Sequence, residues 1–99
     1  MYYAIISEDV DNSLPLRIQA RPAHLVRVEA LKASGKLVIA GPHPAIDDEN
    51  PDAEGFSGSL IIAEFDSMAA AEAWAADDPY VAAGVYKKVT VKPFRQVLP

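Results

Sequence analysis

Cysteine is absent from the 99 residues, which excludes disulfides, thiolate catalysis and thiolate metal sites. Basic residues are also scarce: nine Lys and Arg stand against fourteen Asp and Glu, a formal net charge of −5. Nucleic acid and anionic membranes are bound through surplus positive charge, so neither is expected as a partner. No apolar run approaches the length of a membrane span, and the start "MYYAIISEDVD" lacks the basic segment of a signal peptide. A cytoplasmic protein is therefore expected. The chain has no internal repeat, low-complexity tract or linker.

What remains is a 51% hydrophobic chain, enough for one small domain spanning residues 1–99 with a modest core. "YYAIIS" (2–7), "KLVIAG" (36–41), "GSLIIAEF" (58–65) and "VYKKVTVKPF" (85–94) read as strands from their β-branched and aromatic content. "LPLRIQARPAHLVRVEALKASG" is helical in composition but holds Pro15 and Pro22. A proline fits the first turn of a helix better than its interior, so the expectation is a short turn near 15–20 and a main helix from Pro22, closed by Gly35. A second helix over 68–76 is capped by Ser67 and carries the stripe Ala71, Trp74 and Ala75.

The order is βαββαβ, an α+β ferredoxin-like unit with two helices on one face of a four-stranded antiparallel sheet. Strands one and three are apolar on both faces, as Tyr2, Ala4 and Ile6 show beside Tyr3 and Ile5. A sheet covered on one side alternates more cleanly, so the uncovered face is expected to meet a second copy, sheet to sheet. The polar stretch 42–57, with Pro42, Pro44 and Pro51, is expected to be a long mobile loop.

Two stretches bear on chemistry. In "DDPYVAAGVY" (77–86), two acids lie where a helix ends, although that end favours cations. Asp78 before Pro79 can cap a following short turn, which accounts for one of them. In "ARPAHL", a helix starting at Pro22 puts His24 in its first turn, where partial positive charge favours neutral imidazole, a base. His24, Val28 and Leu31 share one helical stripe, which turns the ring toward the sheet or its rim. A structural histidine is the alternative, unless an acid on the neighbouring helix orients the ring.

Arg21 can hold a substrate carboxylate, or be merely solvated; Gly41, Pro42 and Ser59 lie where backbone can approach a ligand, or where turns need small residues. His43 with Asp47, Asp48 and Glu49 lacks the spacing of a calcium loop, and one histidine makes no zinc site, so neither metal nor cofactor is expected.

"RPAHL", "G-x-L-x-x-AGP", "GFSGSLIIAEF", "AWAADDPYVAAGVY" and "V-x-V-K-P-F" together resemble the YCII family of small bacterial proteins, closely its YciI branch, from Met1 to about Val97. The resemblance implies a dimeric ferredoxin-like protein, a dimeric α+β barrel-like assembly, with a histidine and an aspartate as a catalytic pair in a cleft. By motif these are His24 and Asp78; Asp77 and His43 have no place in the pattern. The family is similar in fold to muconolactone isomerase, and one branch removes chloride from a chlorinated hydroxymuconate. The expected function is acid–base elimination or isomerisation of a small anionic carbonyl compound; the alternative is a non-catalytic dimer that binds a metabolite or protein partner in the same cleft.

Overall fold

A computed structural model describes residues 1–99. Four strands, β1 (Tyr2–Asp9), β2 (Leu37–Pro44), β3 (Phe56–Glu64) and β4 (Tyr86–Phe94), form one antiparallel sheet in the order β2-β3-β1-β4. Three helices complete the chain: α1 (Leu14–Ala33), α2 (Met68–Ala76) and the four-residue α3 (Pro79–Ala82). This is the ferredoxin-like βαββαβ arrangement.

The pleat of β1 sorts its side chains. Tyr3, Ile5, Ser7 and Asp9 face the helices, and register pairs Ile5 with Ile61 and Tyr3 with Ala63 on that side. Val28 and Leu31 of α1, and Ala71 and Ala75 of α2, close the core over them together with Phe65. The core is apolar until the row reaches Ser7 and Asp9, which are nevertheless buried. Arg27 ties α1 to α2: its guanidinium donates to the Trp74 carbonyl at 3.0 Å and lies 4.4 Å from that ring's centroid.

The expected break before Pro22 does not occur. α1 begins at Leu14 and runs through Pro22, with Pro15 in its first turn where no N–H is missed. Pro22 forfeits a bond to the Ile18 carbonyl, but Pro22 and Ile18 are both exposed, so water can serve that oxygen. The buried stripe of Arg17, Val28 and Leu31 holds the helix down despite the lost bond. His24 consequently sits inside α1 rather than in its first turn, and the helix-terminus argument for a neutral imidazole does not apply.

The loop is also shorter than expected. β2 runs to Pro44 and β3 starts at Phe56, the connection being closed by Ala45 N–H donating to the Gly55 carbonyl at 2.9 Å and containing a 3-10 turn at Asp52–Glu54. Gly35, at φ +74°, ends α1 in the left-handed conformation that its sequence position implied. Gly58 has another reason to be glycine: a Cβ there would collide with the Ser7 carbonyl across the β1–β3 ladder.

Candidate active site

Between α1 and the β2–β3 half of the sheet lies a cavity of about 380 Å³. His24, Arg21, Gly41, Pro42 and Ser59 all line it, so five residues from three separate elements come together at one opening. Asp78 stands behind them. It is 4% exposed and does not line the cavity.

His24 Nδ1 lies 2.9 Å from Asp78 Oδ1 and 3.0 Å from Oδ2. A carboxylate only accepts, so Nδ1 carries the proton and Nε2 is left with the free lone pair. Asp78 also caps α3, accepting from the Tyr80 N–H at 2.9 Å. One carboxylate therefore both starts the helix and fixes a tautomer. The Tyr80 ring stacks on the imidazole at 4.0 Å with 13° between planes. Asp77 is the exposed C-cap of α2 and takes no part.

Below this contact is a charged pair that no motif in the sequence marks. Arg17 donates through Nε and Nη2 to the two oxygens of Asp9, at 2.6 and 2.9 Å, and through Nη2 to the Gly58 carbonyl at 2.9 Å and Ser59 Oγ at 2.8 Å. Ser13, the N-cap of α1, gives its hydroxyl hydrogen to Asp9 at 2.6 Å instead of capping the helix with its oxygen. Burial alone would weaken the Arg17 charge, but the hydrogen bonds and charge of Asp9 outweigh it and hold the guanidinium above its ordinary range.

Three aromatic rings, Phe56, Tyr80 and Tyr86, surround Arg17 at 5.4, 5.0 and 5.9 Å from its central carbon. Tyr86 donates to Ser59 Oγ at 3.0 Å. Burial pushes the Tyr86 phenol up to about 12, with the nearby Asp78 charge acting the same way against the opposing Ser59 bond and Arg17 charge. Burial likewise raises Tyr80, against the pull of Arg17 and Arg21. Both phenols are protonated near neutrality.

Arg21 is exposed at the mouth, one turn above the buried Arg17. His43 is outside the cavity, on β2 beside Gly58, and no three metal-binding side chains gather anywhere. The residues missed were legible in part. Counting back seven from His24 along its stripe reaches Arg17, but the supposed turn at 15–20 concealed it. Continuing the Tyr3, Ile5, Ser7 alternation puts Asp9 on the core face, where a lone carboxylate demands a partner. Nothing local distinguishes Tyr80 or Tyr86 from ordinary packing aromatics.

A ferredoxin-like α+β domain with a histidine–carboxylate contact at the wall of a mostly apolar cavity defines the class. The sequence relationships narrow it. The family model described as the YCII-related domain matches residues 1–95, and the chain belongs to that family. It is 55% identical to Protein YciI of Escherichia coli O6:H1 and 54% identical to an uncharacterized protein of Haemophilus influenzae, each over 97 residues covering 98% of this chain and 99% of the relative. Among solved structures it is similar to 5-chloro-2-hydroxyhydroquinone dehydrochlorinase (TftG) from Burkholderia phenoliruptrix AC1100 in complex with 2,5-dihydroxybenzoquinone. That similarity has a TM-score of 0.84 and 29% identity, over 96% of this chain and 94% of that one.

Proposed function

We propose that this chain is an enzyme performing acid–base elimination or isomerisation on a small anionic carbonyl compound. The observation that carries the proposal is the contact of His24 Nδ1 with both Asp78 oxygens, at 2.9 and 3.0 Å, while the ring lines the cavity. His24 Nε2 is the general base; it takes a proton from carbon beside a carbonyl. Asp78 is the positioning residue that fixes the tautomer and stabilises the imidazolium once formed. Arg21 meets a carboxylate at the mouth, and Gly41, Pro42 and Ser59 bound the substrate on the sheet side. The dehydrochlorinase named above supports the reading, since loss of chloride is an elimination and its bound ligand is a small oxygenated ring.

The working unit in this proposal is a homodimer. The sheet face away from the helices carries Ala4, Ile6, Leu60 and Ile62, with Ile39 57% exposed beside them. A second copy laid on this face covers the apolar patch and closes the assembly.

Two assays test the chemistry: chloride release from 5-chloro-2-hydroxyhydroquinone, and solvent deuterium uptake beside the carbonyl of small keto acids. Turnover in at least one, reduced about 100-fold or more in His24→Gln, is expected, as loss of a general base typically costs that much. Binding of 2,5-dihydroxybenzoquinone without any elimination or exchange would make the protein a metabolite-binding module instead.

A further inference from the structure

Two hydroxyl groups at the cavity have a hydrogen to give and nothing in the chain to receive it. Tyr80 is 2% exposed and lines the cavity; its phenol oxygen lies beside the Arg17 guanidinium, and its hydrogen goes to no acceptor in the chain. Ser59 is 5% exposed; its oxygen accepts from Arg17 at 2.8 Å and from Tyr86 at 3.0 Å. A hydroxyl has two lone pairs and one hydrogen, so both acceptor positions are filled and the hydrogen is left over. Both residues line the cavity, so both hydrogens can be given to a ligand there without breaking a bond within the chain.

The two groups lie around the same guanidinium. Arg17 donates to Ser59 and lies 5.0 Å from the Tyr80 ring centroid. Tyr86 packs edge-on to Tyr80 at 5.6 Å while holding Ser59. We infer that Tyr80 Oη and Ser59 Oγ form a two-hydroxyl cradle for a single anionic oxygen of the ligand, an enolate or phenolate, with Arg17 as the positioning residue that orients Ser59. The cradle suits one oxygen and not a carboxylate, because the buried Arg17 charge is already matched by Asp9 and the unpaired cation, Arg21, stands at the mouth.

This inference rests on the acid–base reading for its part in turnover. When His24 Nε2 removes a proton from carbon, the C–H pair becomes a carbon–carbon double bond and the carbonyl π pair moves onto oxygen. Preorganised donors facing that oxygen lower the barrier, because the charge appears only as the proton leaves. Tyr80 and Ser59 are thereby catalytic residues, reached through groups that a search for ionised side chains overlooks.

4-Nitrophenol is a suitable probe, because its colour distinguishes phenol from phenolate. The wild-type protein is expected to bind 4-nitrophenolate more tightly than the neutral phenol across a pH titration. Tyr80→Phe, which keeps the ring against His24, and Ser59→Ala are each expected to weaken the anion about tenfold, as loss of a hydrogen bond to a charged group does, and to change the neutral form much less. A purely structural role would weaken both forms alike. Equal affinity of the wild type for the two forms, or an anion preference unchanged in both variants, overturns the cradle. If one variant does not fold, the other decides. An intact anion preference without turnover refutes the acid–base reading and leaves the cradle standing; turnover without the preference does the reverse.

Discussion

Arg17 and Asp9 are both nearly excluded from solvent, with side chains 6% and 1% exposed, so each depends on the other for its charge. Replacing one member of a buried pair strands its partner, which costs about 3–5 kcal/mol. Asp9→Ala is therefore expected to lower stability by that amount in urea titration, and a loss under 1 kcal/mol would show that water reaches Arg17. Tyr86 adds a pH term. Its phenol titrates near 12 in the fold against an ordinary value of 10.0, so the native state holds this proton longer than the unfolded chain. Its contribution is complete below pH 10 and disappears as pH rises through about 12, on the order of 2 kcal/mol. Alkaline unfolding followed by circular dichroism should show this slope in the wild type and a flatter one in Tyr86→Phe. At the histidine, nitrogen NMR should find the neutral ring protonated on Nδ1, and Asp78→Ala should mix the two tautomers. At this scale the sequence disclosed residues with a motif or a charge anomaly, such as His24 and Asp78. It concealed those defined by distant partners: Asp9 and Arg17 meet only because β1 delivers one carboxylate to the foot of α1.

Among the elements, the strands and α2 were readable because β-branched and aromatic runs and a capped alanine-rich turn leave local marks. α1 was not. Proline's local penalty argued for a break, and long-range burial of one face of the helix overrode it. Since Pro22 is exposed and does not line the cavity beside His24, Pro22→Ala restores a backbone donor for Ile18 and should stabilise the protein by about 2 kcal/mol, seen as a higher melting temperature. A destabilised variant would mean that α1 needs the bend or the stiffness proline gives. Gly58→Ala tests the sheet in the opposite sense. The added methyl meets the Ser7 carbonyl, and overpacking of this kind costs about 1–3 kcal/mol. The same shift would move Ser59, so a loss of ligand affinity should accompany it.

For the whole molecule, the prediction is one of mass. Sedimentation equilibrium at micromolar concentration should give about twice the 10.7 kDa of the chain, since stable interfaces bury roughly 1,200 Å² or more. Ile62→Lys on the open sheet face should return it to the single-chain value without disturbing His24 on the other side of the sheet. A wild-type monomer would remove the sheet-to-sheet arrangement. Strands apolar on both sides made this face visible in the sequence, whereas the cavity on the other face needed three dimensions, because its lining comes from positions as far apart as Leu14 and Tyr80. The four residues of α3 are too few to be stable alone. Their first turn is held by Asp78, whose other contact is His24, and their Tyr80 lies against the same imidazole. Fraying of this one turn would release the carboxylate, the stacked ring and the phenol in a single step. Under the acid–base proposal, a base held in this way would act only in those molecules in which the turn is formed.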